Sequence, residues 1–535
     1  MRAHRTWWLV ILLGGAALAA GLAARAGLAP AEVPAHFTEV GRPAHISPDY
    51  SGTVIPPNIA PLDFRVDEPG AGYVVSLRSA QGPAANLASR TGRFVIPMTA
   101  WKRLLALNAG AELVTDVYVR RRDGSWDRFQ PVSNAVAREP IDPYLVYRLL
   151  NSVDNLYVTM GICQRNLEGY DESVILDNAS FDGGCMNCHT FLNNSPDKML
   201  IQVRRGRVDY GRAMVLVDHG VVHKVDAQTP ASPSAPTYMS WHPSGRLAAF
   251  SMNKVRQFFH TARAEVRDVC DLDSDMAVYL ADSAAVVTTA AISRPDRLET
   301  YPTWSPDGLY LYYCSAPVPW ADRDKAPPEH YDQVRYDLMR IRVDADARAW
   351  GHAETVLSAR ETGKSITLPR ISPDGRWLLF CMSDYGCFPI HQVSADLYMM
   401  DLGTRQYRRL AINSNRQDTW HCWSSNGRWI VFSSKRADGL LARPYIAYVD
   451  ETGEVHKPFV LPQRDPDFYD GFLKTYNLPE LIQRPVPVRG EQIARVIRSP
   501  VWVKSELAVT SASPRVGAPS PAASSGVDQP WHARP

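Results

Sequence analysis

Two cysteines and a histidine stand together in the segment Cys185-Met186-Asn187-Cys188-His189. The spacing C-x-x-C-H is typical of covalent c-type haem attachment, in which each cysteine forms a thioether with a vinyl group and the histidine ligates the iron. With 8 Cys and 14 His among 535 residues, chance placement gives such a pentapeptide with a probability of about 0.003. The sequence therefore predicts one covalent haem c held by Cys185, Cys188 and His189, with His189 as an axial iron ligand.

Two other chemistries use cysteines at this spacing. A structural zinc site needs a second ligand pair, and the chain has no further C-x-x-C segment. A thioredoxin-like redox motif needs an adjacent βαβ pattern, which is missing here. Both missing features favour a haem iron over a structural zinc site or a thioredoxin-like redox site.

The N-terminus predicts the compartment that haem attachment requires, since c-type maturation takes place outside the bacterial cytoplasm. Arg2 and Arg5 precede an apolar run from Trp7 to Ala24, which is the pattern of a signal peptide. The run is also near the minimum length for spanning a bilayer. Residues 1–30 are therefore expected to be a signal sequence or an N-terminal membrane anchor, and the protein to be periplasmic or extracytoplasmic, either secreted or anchored.

Composition indicates the fold class and excludes one class of partner. The chain contains 41 Pro, 33 Gly and 14 Trp and few long helical patterns, which favours an all-β architecture. The net charge of +2 and the lack of a basic stripe argue against nucleic acid as a partner. Six cysteines remain outside the haem motif, and up to three disulfides with open pairing are compatible with an oxidising compartment.

A turn pattern recurs between pairs of apolar strands, which indicates a propeller or a solenoid. The pattern combines Pro, which sets φ, with Gly, which accepts a positive φ. Its copies are Trp241-His242-Pro243-Ser244-Gly245, Trp304-Ser305-Pro306-Asp307-Gly308, Ile371-Ser372-Pro373-Asp374-Gly375, Trp423-Ser424-Ser425-Asn426-Gly427 and, just after the haem motif, Asn194-Ser195-Pro196-Asp197-Lys198. With the downstream strands, each copy predicts a four-stranded blade.

The repeated S-P-D-G turns resemble those of the TolB-like proteins, and this resemblance implies a six-bladed β-propeller. The propeller is expected over residues 143–470, with the haem-attachment segment at 180–196 in the start of an innermost strand. The sixth blade is expected to use strands between Leu145 and Leu176. The sequence pattern does not identify the strand that closes the ring of blades.

The propeller topology predicts where a distal haem ligand lies. The haem motif and the long loops between second and third strands share one face, and the longest of these loops is expected at residues 253–275. Long loops on a rigid scaffold often carry function. Three histidines on that side are candidates for the sixth iron position: His260, the first choice, His391 and His421. Met199 or Met239 could serve instead, and a five-coordinate iron is a further alternative.

Segments outside the propeller have simpler expectations. Residues 50–138 show short alternating strands and an Asp123-Gly124 turn, which predict a small Ig-like or fibronectin-like β-sandwich. Residues 471–509 are expected to be an extended segment, and residues 510–535, rich in Ser, Ala and Pro, a disordered tail.

Three hypotheses about function follow from these patterns. The combination of propeller and haem is also loosely similar to the α-subunit of hydrazine synthase, although that resemblance implies no specific chemistry here. The first hypothesis is an exported electron-transfer cytochrome whose propeller docks a redox partner protein. The second is a haem enzyme with substrate at the propeller mouth. The third is a TolB-like binding or assembly module with a structural or sensory haem, and the oligomeric state stays open in all three.

Overall fold

The computed structural model describes residues 31–151, 159–204, 212–261, 265–322, 329–345 and 349–508. The predicted signal or anchor at 1–30 and the predicted tail at 510–535 lie outside these residues. The chain forms two compact units: the first comprises Met1–Pro140, Glu168–Tyr170 and Phe459–Phe472, and the second comprises Ile141–Leu167, Asp171–Pro458 and Leu473–Pro535. Among the described residues, no helix has the length and apolar character needed to cross a membrane.

The first unit is built on a seven-stranded mixed sheet and a smaller three-stranded sheet. The strands of the large sheet are Thr38–Pro43, Val54–Ile55, Gly72–Ser79, Ala85–Ser89, Glu112–Arg120, Trp126–Gln130 and Val132–Val136. The strands of the small sheet are Ile46–Ser47, Phe64–Val66 and Arg93–Phe94. The strand Phe459–Val460 and the helices Met98–Leu107 and Phe468–Gly471 also belong to this unit. Two pairs in the large sheet are parallel, whereas a strict Ig-like sandwich pairs its strands antiparallel.

Within its described residues, the second unit forms six sheets built mainly of antiparallel strands, which we number as blades in chain order. Blade 1 has Tyr144–Asn151, Met160–Asn166 and Glu172–Asp177; blade 2 has Cys185–Leu192, Ser195–Arg204, Arg212–Asp218 and Val221–Asp226; blade 3 has Met239–Trp241, Leu247–Phe259, Arg267–Leu280 and Ala285–Val287. Blade 4 has Arg297–Trp304, Tyr310–Pro317, Asp337–Asp344 and Ala349–Leu357; blade 5 has Ser365–Ile371, Trp377–Ser383, Asp396–Asp401 and Tyr407–Arg409; blade 6 has Asp418–Trp423, Trp429–Ser434 and Arg443–Tyr448 within this unit.

A strand from the C-terminal part of the chain closes the circle. Lys474–Ile482 pairs antiparallel with Tyr144–Asn151 and so becomes the innermost strand of blade 1. It also contacts the innermost strands of blades 6 and 2, and every other neighbouring pair of innermost strands is in contact as well. The predicted all-β fold with a six-bladed β-propeller is therefore confirmed.

The segment after residue 470 differs from the extended chain that the sequence predicts. Besides the closing strand, it contains the helix Gly490–Arg498, which buries Ile493, Ala494 and Ile497. The short strands Val503–Lys504 and Glu506–Leu507 add parallel to the outer edges of blades 2 and 3. The remaining helical elements of the second unit are Ala359–Thr362, Asn178–Phe181, Tyr331–Gln333 and Pro389–His391.

The repeated turn pattern has a local physical reason. In blade 4 the hydroxyl of Ser305 accepts a hydrogen bond from the backbone N–H of Tyr310 at 2.9 Å, and Asp307 accepts one from Leu309 at 2.9 Å. Gly308 supplies the left-handed backbone of the turn, with φ of 72°. Blade 2 departs from the expected fifth copy: its turn is Asn193-Asn194, both with positive φ, and Ser195 begins the next strand.

Candidate functional site

Six pairs of consecutive residues, one from each blade, line the small cavity at the waist of the propeller, together with Arg370 and Glu480. The pairs, in blade order, are Leu478-Pro479, Cys188-His189, Tyr238-Met239, Tyr301-Pro302, Leu368-Pro369 and Trp420-His421. The cavity measures about 40 Å³. We call these twelve residues the waist ring, and two residues of the C-x-x-C-H motif are its blade 2 members.

The backbone bends where the innermost strands reach the waist ring. Strand register shifts at this point in blades 1, 2, 4, 5 and 6. Tyr301, Leu368, Trp420 and Leu478 adopt left-handed φ values between 45° and 55°, which cost of order 1–3 kcal/mol each for such residues. Bulges change the direction of side chains next to functional sites. Here they direct the side chains of the waist ring toward the central channel of the propeller.

His189 has the environment of a histidine that is available to bind a metal ion. Its side chain is buried, and neither ring nitrogen has a hydrogen bond of normal geometry, although the backbone of Leu478 lies near the ring. Burial, and then the positive charges of Arg148 and Arg370, lower the pKa of His189 to about 3. The imidazole is therefore neutral at physiological pH, which is the form that binds a metal.

The two motif cysteines face different surroundings. Cys188 belongs to the core cluster around the channel, where burial raises the pKa of its thiol to about 12. Cys185 begins the innermost strand of blade 2 and belongs to the core between blades, with its sulfur 3.4 Å from Nη2 of Arg204. All eight cysteines are buried and free, so none of the disulfides that the sequence allows is formed.

His421 is the distal candidate that shares a cavity with His189. It is the blade 6 member of the waist ring, and Nε2 lies 3.1 Å from the carbonyl oxygen of Leu379. Nδ1 has no hydrogen bond of normal geometry, although the backbone of Leu368 lies near the ring. Burial lowers the pKa of His421 to about 3, so this imidazole is also neutral. A histidine that donates one N–H to a backbone carbonyl keeps its other nitrogen free for a metal.

His260 and His391 lie farther out along the channel. His260 follows the long strand Leu247–Phe259, with Nε2 3.3 Å from Oδ2 of Asp268. The expected loop 253–275 around it is instead largely a two-stranded extension of blade 3. His391 ends a short 3-10 helix, and burial followed by the charges of Lys435 and Arg267 lowers its pKa well below the usual range.

The two methionine alternatives also lie in different places, one in the waist ring and the other outside it. Met239 is the blade 3 member of the waist ring, next to blade 2, whereas Met199 is fully buried in the core between blades. The ring therefore brings His189 together with His421 and Met239, but not with Met199 or His260.

A zinc site finds no support in the described residues. His219 and His223 have the spacing H-x-x-x-H, which a zinc site with Cys185 and Cys188 would use. His219 is exposed beside Asp218 at the turn before the outermost strand of blade 2, and His223 lies in that strand. The part of the chain that the structure describes contains no group of three His, Cys, Asp or Glu that could hold a metal ion.

Two larger cavities lie beyond the waist ring, and Cys188 lines both the waist cavity and the nearer of these two. The inner cavity, of about 200 Å³, is lined by Cys188, Tyr238, Trp420 and Leu478 of the waist ring and by polar and basic side chains of several blades. The vestibule, of about 310 Å³, is lined by His260, Glu265, Arg267, Asp268, Asp384, Tyr385, His391, Gln392, Val393 and Ser394. Arg267 and His391 line both cavities and therefore form their common boundary.

Sequence reasoning misses the basic residues of the inner cavity and most of the waist ring. The basic residues are Arg148, Arg204, Arg212, Arg267 and Lys435. They come from different blades and strand positions, so no motif connects them. The ring residues of blades 2 to 6 could have been found, because each pair precedes its blade's first turn by a nearly constant number of residues.

The residues of the waist ring fit a covalently attached haem in their chemistry. His189 offers a buried neutral imidazole without a hydrogen-bond partner of normal geometry, and Cys188 lines the inner cavity beside it. Cys185 does not line that cavity, but its neighbours Asn187 and Arg204 do. A thioether at Cys185 therefore requires its side chain to turn from the core between blades toward the cavity.

Comparison with known proteins supplies no family. No family model and no curated protein sequence matches the chain. Similar solved structures include a nidogen/laminin complex, at 9% identity over 64% of this chain and 99% of that one, with a TM-score of 0.36. Prolyl oligopeptidase B from Galerina marginata, at 12% identity over 60% of this chain and 45% of that one, has a TM-score of 0.32. The Dos1 propeller, at 13% identity over 43% and 64%, has a TM-score of 0.25. Likeness at this level assigns no function.

Proposed function

We propose that this protein is an exported c-type cytochrome with one haem at the waist of its propeller, and that it transfers electrons with a redox partner protein. The observation that carries the proposal is the position of Cys188-His189, which puts a buried imidazole without a hydrogen-bond partner of normal geometry in the waist ring. The TolB-like turns and the loose similarity to the hydrazine synthase α-subunit agree with a propeller that carries haem. The N-terminal pattern of a signal peptide or membrane anchor agrees with a periplasmic location, either secreted or anchored.

The proposed roles follow from the surroundings of each residue. Cys185 and Cys188 hold the haem through thioethers, and His189 is an axial ligand of its iron. When bound, the haem supplies an iron that gains and loses one electron. His421 is the preferred second ligand, because it lines the same cavity as His189 and its Nδ1 has no hydrogen bond of normal geometry. Burial of both imidazoles keeps them neutral and excludes water from their nitrogens.

A haem enzyme is the second candidate, and the inner cavity is the observation that favours it. A space of about 200 Å³ beside Cys188 has room for a small substrate, and the vestibule shares a boundary with it. In this case the sixth iron position is open, and His421 serves to line the site.

Covalent haem attachment tests the proposal. The wild-type chain, coexpressed with a c-type maturation system, is expected to gain the mass of one haem and to stain for peroxidase activity in a denaturing gel. The Cys185→Ser/Cys188→Ser double variant removes both thioethers and is expected to lose the stain. Cys422→Ser is the matched control, because Cys422 is also buried in an innermost strand but lies outside the motif.

The result that overturns the proposal is a wild-type chain that is folded by circular dichroism and carries no covalent haem. The same holds if the double variant retains the covalent haem, since the attachment would then lie elsewhere in the chain.

A further inference from the structure

The second and third strands of blade 3 are longer than those of the other blades among the described residues. They have 13 and 14 residues, whereas the corresponding strands of blade 4 have 8 each. The pairing of the two strands shifts between Lys254 and Val255, and such a bulge bends a strand pair. We call the part beyond this bulge, residues 255–259 and 267–271, the blade 3 extension.

One face of the blade 3 extension forms a wall of the inner cavity. Val255 and Gln257 of its first strand line this cavity, as do Arg267 and Val269 of its second strand. Alternate residues of a strand point to the same face, so these side chains share one face. Asp268 lies between two of them in the chain and lines the vestibule instead. The extension therefore stands between the inner cavity and the vestibule.

Glu265, just before the second strand of the extension, reaches the opposite side of the propeller. Its carboxylate accepts hydrogen bonds from Lys435 and from Gln417, the latter at 3.2 Å. Both partners belong to blade 6, at the start of its innermost strand and at the end of the next strand. In a ring of six blades, blade 6 lies opposite blade 3. These bonds therefore connect the two sides of the channel mouth, and the ion pair is largely buried.

Further contacts join the extension to the loops of blades 4 and 5. Asp268 accepts hydrogen bonds from Tyr385 at 2.6 Å and from Gln392 at 3.2 Å, both in the blade 5 loop. Phe258 packs edge-on against Tyr331 of the blade 4 loop, with ring centroids 4.8 Å apart. The first strand of the extension is only half-buried. An element held largely by polar side-chain contacts opens at a lower free energy than the core strands do.

We propose that the blade 3 extension is a lid over the inner cavity, held closed by the ion pair of Glu265 and Lys435. When the pair separates, the extension bends away at the bulge beside Val255, and small molecules enter the inner cavity from the channel mouth. Cys188 lines this cavity, so its thiol reports their entry. The lid controls access to the cavity whether or not the chain carries haem.

Alkylation of Cys188 measures the opening of the lid. The full-length chain is expressed without a c-type maturation system and treated with N-ethylmaleimide, and site-resolved peptide mass spectrometry gives the rate at each cysteine. Glu265→Gln removes the ion pair and is expected to raise the rate at Cys188 about tenfold. Asp384→Asn is the matched control, because Asp384 also lines the vestibule but pairs with Lys364 of its own blade. Its rate is expected to stay within about twofold of wild type.

A cross-link of zero length locks the lid in the wild-type chain. A carbodiimide joins the carboxylate of Glu265 to the amine of Lys435 as an amide, and the water lost in this step converts the carbodiimide into a urea. The mass of the linked peptides identifies the product. Alkylation of Cys188 is expected to be about tenfold slower in the linked chain. Carbodiimide-treated Glu265→Gln lacks this link and is expected to keep its fast rate.

The lid is overturned by equal alkylation rates in wild type, Glu265→Gln and Asp384→Asn, or by an unchanged rate in the linked wild type. Cys422 is buried and does not line the inner cavity, so its alkylation marks general unfolding. If Cys422 reacts as fast as Cys188 in Glu265→Gln, Gln417→Ala replaces that variant, because it removes the other hydrogen bond to Glu265. Both arms use the haem-free chain, so a failure of the lid and a failure of haem attachment are separate results.

Discussion

At the scale of single residues, the surroundings of the motif decide what its histidine can do. His189 and His421 occupy the same position of the waist ring in blades 2 and 6, with blade 1 between them. Both imidazoles are neutral because they are buried, and both keep at least one nitrogen without a partner. Tyr238, Tyr301 and Trp420 pack beside them, with the two tyrosine rings 4.3 Å apart. The ring therefore offers two neutral imidazole nitrogens in a buried setting, beside the ion pair of Arg370 and Glu480.

Replacement of His421 is the sharpest test of the second iron ligand. In the haem-loaded protein, His421→Ala is expected to convert a low-spin, six-coordinate iron into a high-spin iron that binds cyanide, because the ring nitrogen is lost. Optical and electron paramagnetic resonance spectra measure this change. His260→Ala is the matched control, because His260 lies in the vestibule and outside the waist ring, and its spectrum is expected to equal that of wild type.

Other outcomes of the same spectra identify other ligands. A change in Met239→Leu with none in His421→Ala assigns the sixth position to the methionine, and a change only in His260→Ala or His391→Ala contradicts the waist ring as its location. A wild-type iron that is already high-spin and binds cyanide favours the haem enzyme over electron transfer.

At the scale of elements, one strand determines whether the propeller closes. Lys474–Ile482 provides the innermost strand of blade 1 and buries Tyr476, Leu481 and Ile482. Each fully buried side chain of this kind contributes about 1.5–3 kcal/mol. Without it, Tyr144–Asn151 would keep only its partner Met160–Asn166 and would form an open edge of the sheet, and such edges promote aggregation. Closure also fixes the waist ring, since Leu478-Pro479 comes from this strand.

A series of truncations tests this role. A chain that ends at Leu473 lacks the closing strand and is expected to be insoluble or to melt without a cooperative transition. A chain that ends at Gln483 keeps the strand but loses the helix Gly490–Arg498, and is expected to fold with a lower melting temperature. A chain that ends at Ala508 keeps every strand described above and is the control. Calorimetry of the soluble fractions measures the series, and wild-type melting of the shortest chain would contradict the role of the strand.

The blades were predictable from the sequence where their turns carry a local signal. Gly308 and Gly375 adopt left-handed φ values of 72° and 75° in turns whose serine and aspartate bond the backbone. The closing strand has no such turn, because its partner lies more than 300 residues earlier in the chain. The long hairpin of blade 3 was expected to be a loop, since its charged residues Asp271 and Asp273 hide the strand pattern although Asp271 is buried. The basic cavity residues come together only in the folded propeller.

At the scale of the whole molecule, neither unit is a single stretch of chain. The first unit gathers three separate segments, and contacts within it connect them. Tyr170 donates a hydrogen bond to Asp63 at 2.7 Å, and Nη1 of Arg93 lies 3.1 Å from Oδ2 of Asp467. A fragment of residues 31–140 alone would lose both contacts, so the stability of this unit is best measured in the full chain.

Asp63 makes the stability of the first unit depend on pH. Its carboxyl is fully buried and accepts hydrogen bonds from the backbone of Ile96 and from Tyr170, yet burial raises its pKa from 3.8 to about 7. The folded state therefore binds the proton more tightly than the unfolded state. The resulting stabilisation of the folded state is fully present below about pH 4 and is lost as the pH rises to about 7. Its size is on the order of 4 kcal/mol.

Asp63→Asn removes this titration and is expected to flatten the pH dependence, so that the variant is more stable than wild type at pH 8. Urea unfolding at pH 5 and pH 8, followed by hydrogen exchange of the peptide that contains the buried Trp101, measures the first unit within the full chain. Glu112→Gln is the control, because Glu112 is exposed in the seven-stranded sheet of the same unit and the variant is expected to leave the wild-type pH dependence unchanged. A first unit whose unfolding free energy changes between pH 5 and pH 8 by the same amount in wild type and in Asp63→Asn would contradict the raised pKa of Asp63.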